Sequence, residues 1–313
     1  VALVACADPV EENAQRLAGE VGVPRTYRDH REMLAKERPD IVSVCVWTAL
    51  HLPLIRDAVE GGAKAIHAEK PMAPTWGDAK AIYALAKDNG VMMTFCHQRR
   101  FGAQFVKARD LANNGAIGEV LRYEGYCPNM FDWGTHWFDM FFFYNNDEPA
   151  ESVLGQVYVS EPRSAFGVPM ENQGVSVVFF KNGRCGLLLT GISGGGCANR
   201  IIGAGGVLEV GAPNAPVRML RSSSTAGWET PDLSDVQPRG NDTVLSVLDL
   251  IACLKSGDEP RLSVRKALQA TELIFATYES SRSRSRVDLP LQTEDNAFLS
   301  MLDQGTIGPG RNR

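Results

Sequence analysis

Nothing in this chain of 313 residues reads as a membrane span, because its apolar runs are short or interrupted. Nor is there an excess of positive charge. A formal net charge of -5 and a pI near 5.6 argue against nucleic acid or an anionic membrane as the main partner. The seven cysteines are odd in number and include no C-x-x-C pair, so scattered thiols in a reducing compartment are expected. The five histidines show no tight ligand spacing, and no metal site is read from them. No internal repeat is evident. What is present is an ordinary globular composition, 44% hydrophobic and 22% charged. The chain is long enough for two domains, and the remaining classes are a slightly acidic soluble enzyme or a binding protein.

Through roughly the first 115 residues, strand-like runs alternate with helical ones. Val1 to Ala7 reads as a buried strand. Asp8 is placed to cap a helix with Pro9 and Glu11 in its first turn, running to about Val21. Helical stretches at 29–37, 52–60 and 75–89 alternate with apolar runs at 41–46, 65–68 and 91–96. This βαβ spacing predicts a doubly wound parallel sheet over residues 1–118. Past Gly118 the pattern changes to longer strands at 120–126, 153–159, 175–180 and 184–190. Lys181-Asn182-Gly183 marks a hairpin between the last two. Residues 119–313 are therefore expected to form an α+β domain with an open, mainly antiparallel sheet. Helices at 243–255 and 263–282 close it, and a polar tail wraps a surface or a neighbour. An open sheet has a face to cover, so a homodimer or homotetramer is expected.

Three groups of residues carry possible chemistry. Asp132 and His136 are four apart, and a helix starting at or before Asp132 would put them on one face. A histidine with a carboxylate to fix its tautomer is a general-base pair, and Trp133 and Trp137 could keep water out. The bland alternative is a helix cap and a boundary histidine. Lys70, in Glu69-Lys70-Pro71, follows a strand end and would point into the crevice where such sheets bind ligands. Its ammonium could hold a substrate hydroxyl and stabilise negative charge developing there. Asp8, also at a strand end, could accept hydrogen bonds from both hydroxyls of a ribose and repel a 2′-phosphate. By contrast, Gly203-Ala204-Gly205-Gly206 lacks a third glycine at the needed position and a following helix, and is read as a turn between strands. Gly194-Gly195-Gly196 lies in the same β-rich region.

The ordered set Trp47-Thr48-Ala49-Leu50-His51, Glu69-Lys70-Pro71, His97-Gln98-Arg99-Arg100-Phe101, Asp132-x-Gly134-x-His136-x-x-Asp139 and Val287-Asp288-Leu289-Pro290 resembles the glucose–fructose oxidoreductase / inositol dehydrogenase (Gfo/Idh/MocA) family across nearly the whole chain. In that family threonine-proline more often stands where Trp47 and Thr48 stand here. The resemblance implies a Rossmann-like first domain and hydride transfer between nicotinamide and a sugar, glycoside or cyclitol carbinol. It implies Lys70 on the substrate hydroxyl and the nicotinamide ribose, His136 as general base, and Asp132 orienting His136. It further implies Asp8, Thr48, His51, Glu69, Lys70 and Gln98 along NAD, with NADP the lesser expectation, and Arg99 near cofactor or substrate. For His51, His67 and His97 a structural role is the alternative.

The family's strand–G-x-G-x-x-G–helix unit, which holds the pyrophosphate, does not occur in the sequence. It belongs before Val1, and the chain starts with valine, so a natural N-terminal segment is expected to lie outside this sequence. Localisation is read as cytoplasmic, with an export signal left open for the same reason. Three functions stand side by side. The first is an NAD-dependent dehydrogenase of a sugar or polyol; the second is a glycoside-cleaving enzyme that oxidises transiently; the third is a silent member sensing a sugar or dinucleotide.

Overall fold

The computed structural model describes residues 1–191, 198–212, 215–237 and 240–309. Its first third runs β1 (Cys6–Ala7), α1 (Glu11–Val21), β2 (Thr26–Tyr27), α2 (His30–Glu37), β3 (Ile41–Val44), α3 (His51–Glu60), β4 (Ala65–Ala68), α4 (Trp76–Asp88), β5 (Met92–Phe95) and α5 (Ala103–Asn113). Strands β3, β4 and β5 pair in parallel in that order. All four residues of β4 are buried, as suits the middle strand of a covered sheet. Local chemistry sets the helix ends. Asp29 caps α2 through the Arg31 amide, Thr75 caps α4 through the Asp78 amide, and Gly22 closes α1 at a φ of 72°. Strands β1 and β2 form a separate parallel pair. Their unit is tied to the rest where Asp57 on α3 meets His30 Nε2 at 2.7 Å and Arg31 Nε at 3.0 Å.

Two expectations for this region need correction. The strand expected over Val1 to Ala7 shortens to Cys6–Ala7, whose ladder partners are Thr26 and Tyr27; Val1 and Leu3 are exposed. Helix α1 begins at Glu11 with Val10 at its cap, so Asp8 is not the cap. Asp8 Oδ1 instead accepts from the Val10 amide at 2.8 Å, a tight local turn that delays the helix.

The remainder runs β6 (Val120–Cys127), α6 (Thr135–Tyr144), β7 (Ala150–Tyr158), β8 (Arg163–Ala165), β9 (Val168–Met170), β10 (Gln173–Phe180), β11 (Cys185–Thr190), β12 (Asn199–Gly203), β13 (Gly206–Ala212), β14 (Ala215–Arg221), α7 (Asp242–Ser256), α8 (Val264–Ser283), β15 (Val287–Asp288) and α9 (Ala297–Asp303). Eight strands make one open sheet in the order β14-β13-β12-β6-β11-β10-β7-β15. Its neighbours are antiparallel except β6 and β11. The hairpin at Lys181–Gly183 forms, with Gly183 at a φ of 82°. Gly203 and Gly206 pair across the β12–β13 turn. The Gly194–Gly196 stretch lies outside the described residues. Part of the tail beyond Leu289 is helical, as α9, and packs on α8.

Helix α6 is the core of the second half, with every residue buried. It lies on the sheet, where Gly186 makes room: a Cβ there would stand 2.6 Å from the Phe141 ring. Helix α8 packs on β7, α6 and α4, and α7 packs on β4 and β5. The Phe95 amide donates to the Leu262 carbonyl at 3.2 Å. The chain after residue 241 thus returns to the parallel sheet, and α8 packs against both halves.

Candidate active site

The carboxyl ends of β3, β4 and β5 lie side by side and lead into the residues singled out by sequence. After β3, Thr48 is buried at the start of a 3-10 turn. His51 follows, with Nδ1 3.1 Å from the Met72 carbonyl and Nε2 3.1 Å from the Val46 carbonyl. Both ring nitrogens are occupied by backbone, so His51 locks two loops together and has no nitrogen left to meet a cofactor. After β4, the Glu69 carboxylate accepts from the Lys70 amide at 3.3 Å, and the Lys70–Pro71 bond is cis. After β5, Gln98 opens a second 3-10 turn and accepts weakly from the Cys96 thiol at 3.9 Å. His67, within β4, has Nδ1 2.8 Å from Thr94 Oγ1, a buried structural contact.

The second half supplies the partner surface. Residues Met130–Gly134 form one wide π turn ahead of α6. Asn129 builds it: its side chain accepts from the amides of Asp132 at 2.8 Å and Trp133 at 3.2 Å, and its carbonyl accepts from the Gly134 amide at 2.9 Å. Glu171 adds a second anchor by accepting from the Met130 amide. Asp132 therefore sits in the π turn, with the α-helix starting three residues later. The expected Asp132–His136 hydrogen bond is absent among the described residues. Asp132 turns instead to Lys70, whose Nζ donates to its carboxylate and, at 3.2 Å, to its carbonyl. Helical spacing failed as a guide here because the turn is not α-helical.

His136 stands beside that pair, buried, with Nδ1 lacking any hydrogen-bond partner among the described residues. Burial, and then the charges of His97, Arg99 and Lys70, hold its pKa well below the ordinary 6.5. It is thus neutral at neutral pH, the form that accepts a proton. The His97 ring packs edge-on at 5.7 Å and engages Thr135 Oγ1 at 2.9 Å. Burial pushes His97 down to about 4, so it too is neutral. An orphaned buried polar atom is rare in folded proteins and calls for a reason, a catalytic role among them. Trp137 is buried and donates to the Tyr126 carbonyl at 2.9 Å, whereas Trp133 is 41% exposed and screens only part of the cleft.

Arg99 and Arg100 share one turn and face different surroundings. Arg100 is fully buried and bound by Asp139 at 2.9 and 3.0 Å and by Asp147 at 2.8 Å. Arg99 lies 4.4 Å over the Trp137 ring and 5.7 Å from Trp133. Sequence reasoning missed Asn129, Glu171 and Arg100. For Asn129 a signal existed, a capping side chain three residues before Asp132. For Glu171 none did, since its partners Met130 and Tyr278 lie 41 and 107 residues away.

Residues that could hold a dinucleotide are those at the strand ends. Asp8 is half-buried and its Oδ2 has no partner among the described residues, which leaves a carboxylate oxygen for a ribose diol. Trp47, exposed at 64%, and Leu50 offer apolar surface beyond β3. Among the described residues no group of three or more histidine, cysteine, aspartate or glutamate side chains could hold a metal ion. No described helix is long and apolar enough to cross a membrane.

Known proteins resemble this chain in sequence and fold. Residues 1–97 match the model of an oxidoreductase family, GFO_IDH_MocA, described as an NAD-binding Rossmann fold. The chain is 31% identical over 128 residues to the scyllo-inositol 2-dehydrogenase (NAD(+)) of Bacillus subtilis, covering 41% of this chain and 37% of that protein. The matched stretch is thus little more than a third of that relative's length. It is 26% identical over 328 residues to the D-apiose dehydrogenase of Paraburkholderia graminis, covering 95% of this chain and 86% of that one. Levoglucosan dehydrogenase, solved with NADH and L-sorbose, superposes with a TM-score of 0.77 at 20% identity, covering 92% of this chain and 90% of that one, a likeness of fold.

Proposed function

We propose that the chain is a member of the Gfo/Idh/MocA family of NAD-binding oxidoreductases and that it moves hydride between a carbinol of a sugar or polyol and NAD, a reading supported by the match over residues 1–97 and by its similarity to sugar and cyclitol dehydrogenases. The observation that carries this reading is Lys70 held by Asp132 beside a neutral, buried His136 whose Nδ1 is unpartnered. Two of the three Lys70 ammonium hydrogens are spent on Asp132, which leaves one to donate to a substrate hydroxyl. His136 takes the hydroxyl proton, and Lys70 stabilises the negative charge that develops on that oxygen as the proton leaves. The nicotinamide, when bound, supplies the acceptor for the hydride that departs from the same carbon. Asp132 acts on Lys70, fixing its ammonium, rather than on His136. Asp8, Thr48, Glu69, Lys70 and Gln98 hold the cofactor, with Asp8 on the ribose and selecting NAD over NADP. Arg99 faces the substrate. Residues 1–118 form the cofactor half and 119–313 the substrate half, and a homodimer or homotetramer covers the open sheet.

The test is NADH formation at 340 nm with a panel of cyclitols, aldoses and glycosides, together with release of nucleotide from the denatured protein. NADH appearing with at least one carbinol, and disappearing in His136→Ala, is the expected result. Tight nucleotide binding with no turnover on any substrate would point to a silent sugar sensor instead.

A further inference from the structure

Among the described residues, Arg99 is the one site cation left unpaired. The Nε of Arg99 is buried without a partner, and the side chain makes no hydrogen bond or ion pair among the described residues. Its guanidinium is sandwiched by aromatic faces, 4.4 Å from Trp137 and 5.7 Å from both Trp133 and Phe105. The charge of Arg99 also reaches His136, which places the guanidinium near the reacting groups. Asp242, at the start of α7, is the carboxylate whose charge reaches it, yet no ion pair within 4.0 Å joins them. Burial also pulls the Arg99 pKa down, the mark of a cation placed where water is scarce. Aromatic faces offset only part of that cost.

The charge count around the reacting groups is uneven. Lys70 is neutralised by Asp132, and Arg100 by Asp139 and Asp147. Of these three cations, Arg99 alone has no ion-pair partner among the described residues. A neutral polyol could hydrogen-bond to it without balancing it. A carboxylate balances it one for one and matches the planar guanidinium with paired N–H···O bonds. A phosphate dianion would bring more charge than the single free cation supplies.

Building on the dehydrogenase reading of this site, we propose that the substrate is a sugar acid, with its carboxylate on Arg99 and its carbinol between Lys70 and His136. The fork sets which carbinol reaches His136, since the carboxylate fixes one end of the sugar. Selectivity for the acid over the parent sugar follows from leaving Arg99 uncompensated when the neutral sugar binds.

The experiment titrates the full chain, with NAD present, against D-glucuronate, D-galacturonate, D-glucose, D-galactose and D-glucose 6-phosphate. Quenching of tryptophan fluorescence reads binding, and NADH formation is followed in parallel. At least one uronate should bind about tenfold or more tightly than its parent hexose, the worth of one charged hydrogen bond. Arg99→Gln should bring that ratio close to one, and Arg99→Lys, which keeps the charge and loses the fork, should recover part of it; thermal unfolding confirms that both variants fold. Hexoses binding as tightly as uronates, the phosphate ester binding tightest, no uronate binding at all, or a ratio unmoved in Arg99→Gln would each overturn the proposal. NADH formed from a hexose and from no uronate would overturn the sugar acid alone and leave the dehydrogenase reading standing. No nucleotide bound and no NADH from any sugar would overturn both.

Discussion

Two charged clusters meet α6 from the same 3-10 turn, and they are built to opposite specifications. Around Arg100 every charge is answered: Asp139 and Asp147 take the guanidinium, and the Arg100 carbonyl accepts from Arg261 at 3.2 Å. Around His136 the groups are left short. Among the described residues, Nδ1 of His136 has no partner, Arg99 has no ion-paired anion, and Lys70 has a hydrogen to spare. A closed ion pair deep in a core fixes structure, whereas a buried group without its partner costs stability unless something else meets it. The open cluster is the one proposed to meet the substrate, and the closed one, a turn further along α6, ties that helix to the turn carrying Arg100.

That contrast predicts different failures. Lys70→Met should lower kcat by roughly 10²–10⁴-fold, the range expected when a transition-state donor is removed, and, because it leaves the largely buried Asp132 carboxylate without its partner, lower the melting temperature by less than the change at Asp139 does. Steady-state rates beside thermal unfolding check both halves of the statement. Asp139→Ala should do the reverse. It leaves Arg100 with Asp147 as its carboxylate partner among the described residues, and removing one partner of a buried pair costs about 3–5 kcal/mol. Denaturant unfolding should show this loss while the folded fraction keeps its kcat. Asp8→Ser should shift the ratio of NAD to NADP affinity by about tenfold toward NADP, the worth of one or two hydrogen bonds. An unchanged ratio would reduce Asp8 to its local turn.

The smallest expected effect concerns Glu171, a fully buried carboxyl beneath the π turn that also accepts from Tyr278 at 2.8 Å. Burial raises its pKa from 4.5 to about 7. The folded state then holds the proton more tightly than the unfolded chain. Its contribution to stability is complete below about pH 4.5 and is lost as pH rises through about 7. Glu171→Gln cannot titrate there. The melting temperature of the variant minus that of the wild type should therefore rise between pH 4.5 and pH 7.5, and a flat difference would count against this.

The strands and helices were largely legible because short apolar runs and turn residues act locally. Residues 65–68 and the Lys181–Gly183 hairpin form where the sequence places them. Helix α5, strand β14 and helix α9 were not foreseen, being elements whose apolar pattern is decided by what they pack on. Lys70, Asp132, His136 and Arg99 were all read from the sequence as site residues, and the structure joins Lys70 to Asp132 and brings the charges of Lys70 and Arg99 to bear on His136. Their pairing was not legible. It depends on a π turn set by Asn129 and Glu171, and the hydrogen bonds from Glu171 reach across 41 and 107 residues. Spacing shows which residues share a helix face only where the helix is regular.

The central claim is that His136 is the base, poised neutral in an open cluster. The most direct measurement is the pH dependence of kcat in the wild type, set beside turnover and NAD affinity in His136→Asn. Because burial and the neighbouring charges of Arg99 and Lys70 keep its pKa well below 6.5, wild-type kcat should hold its plateau through pH 6.5 and fall only at more acid pH. His136→Asn should bind NAD as the wild type does and lose at least about 100-fold in kcat, as the removal of a general base requires. Turnover within a few-fold of the wild type in His136→Asn would contradict the assignment.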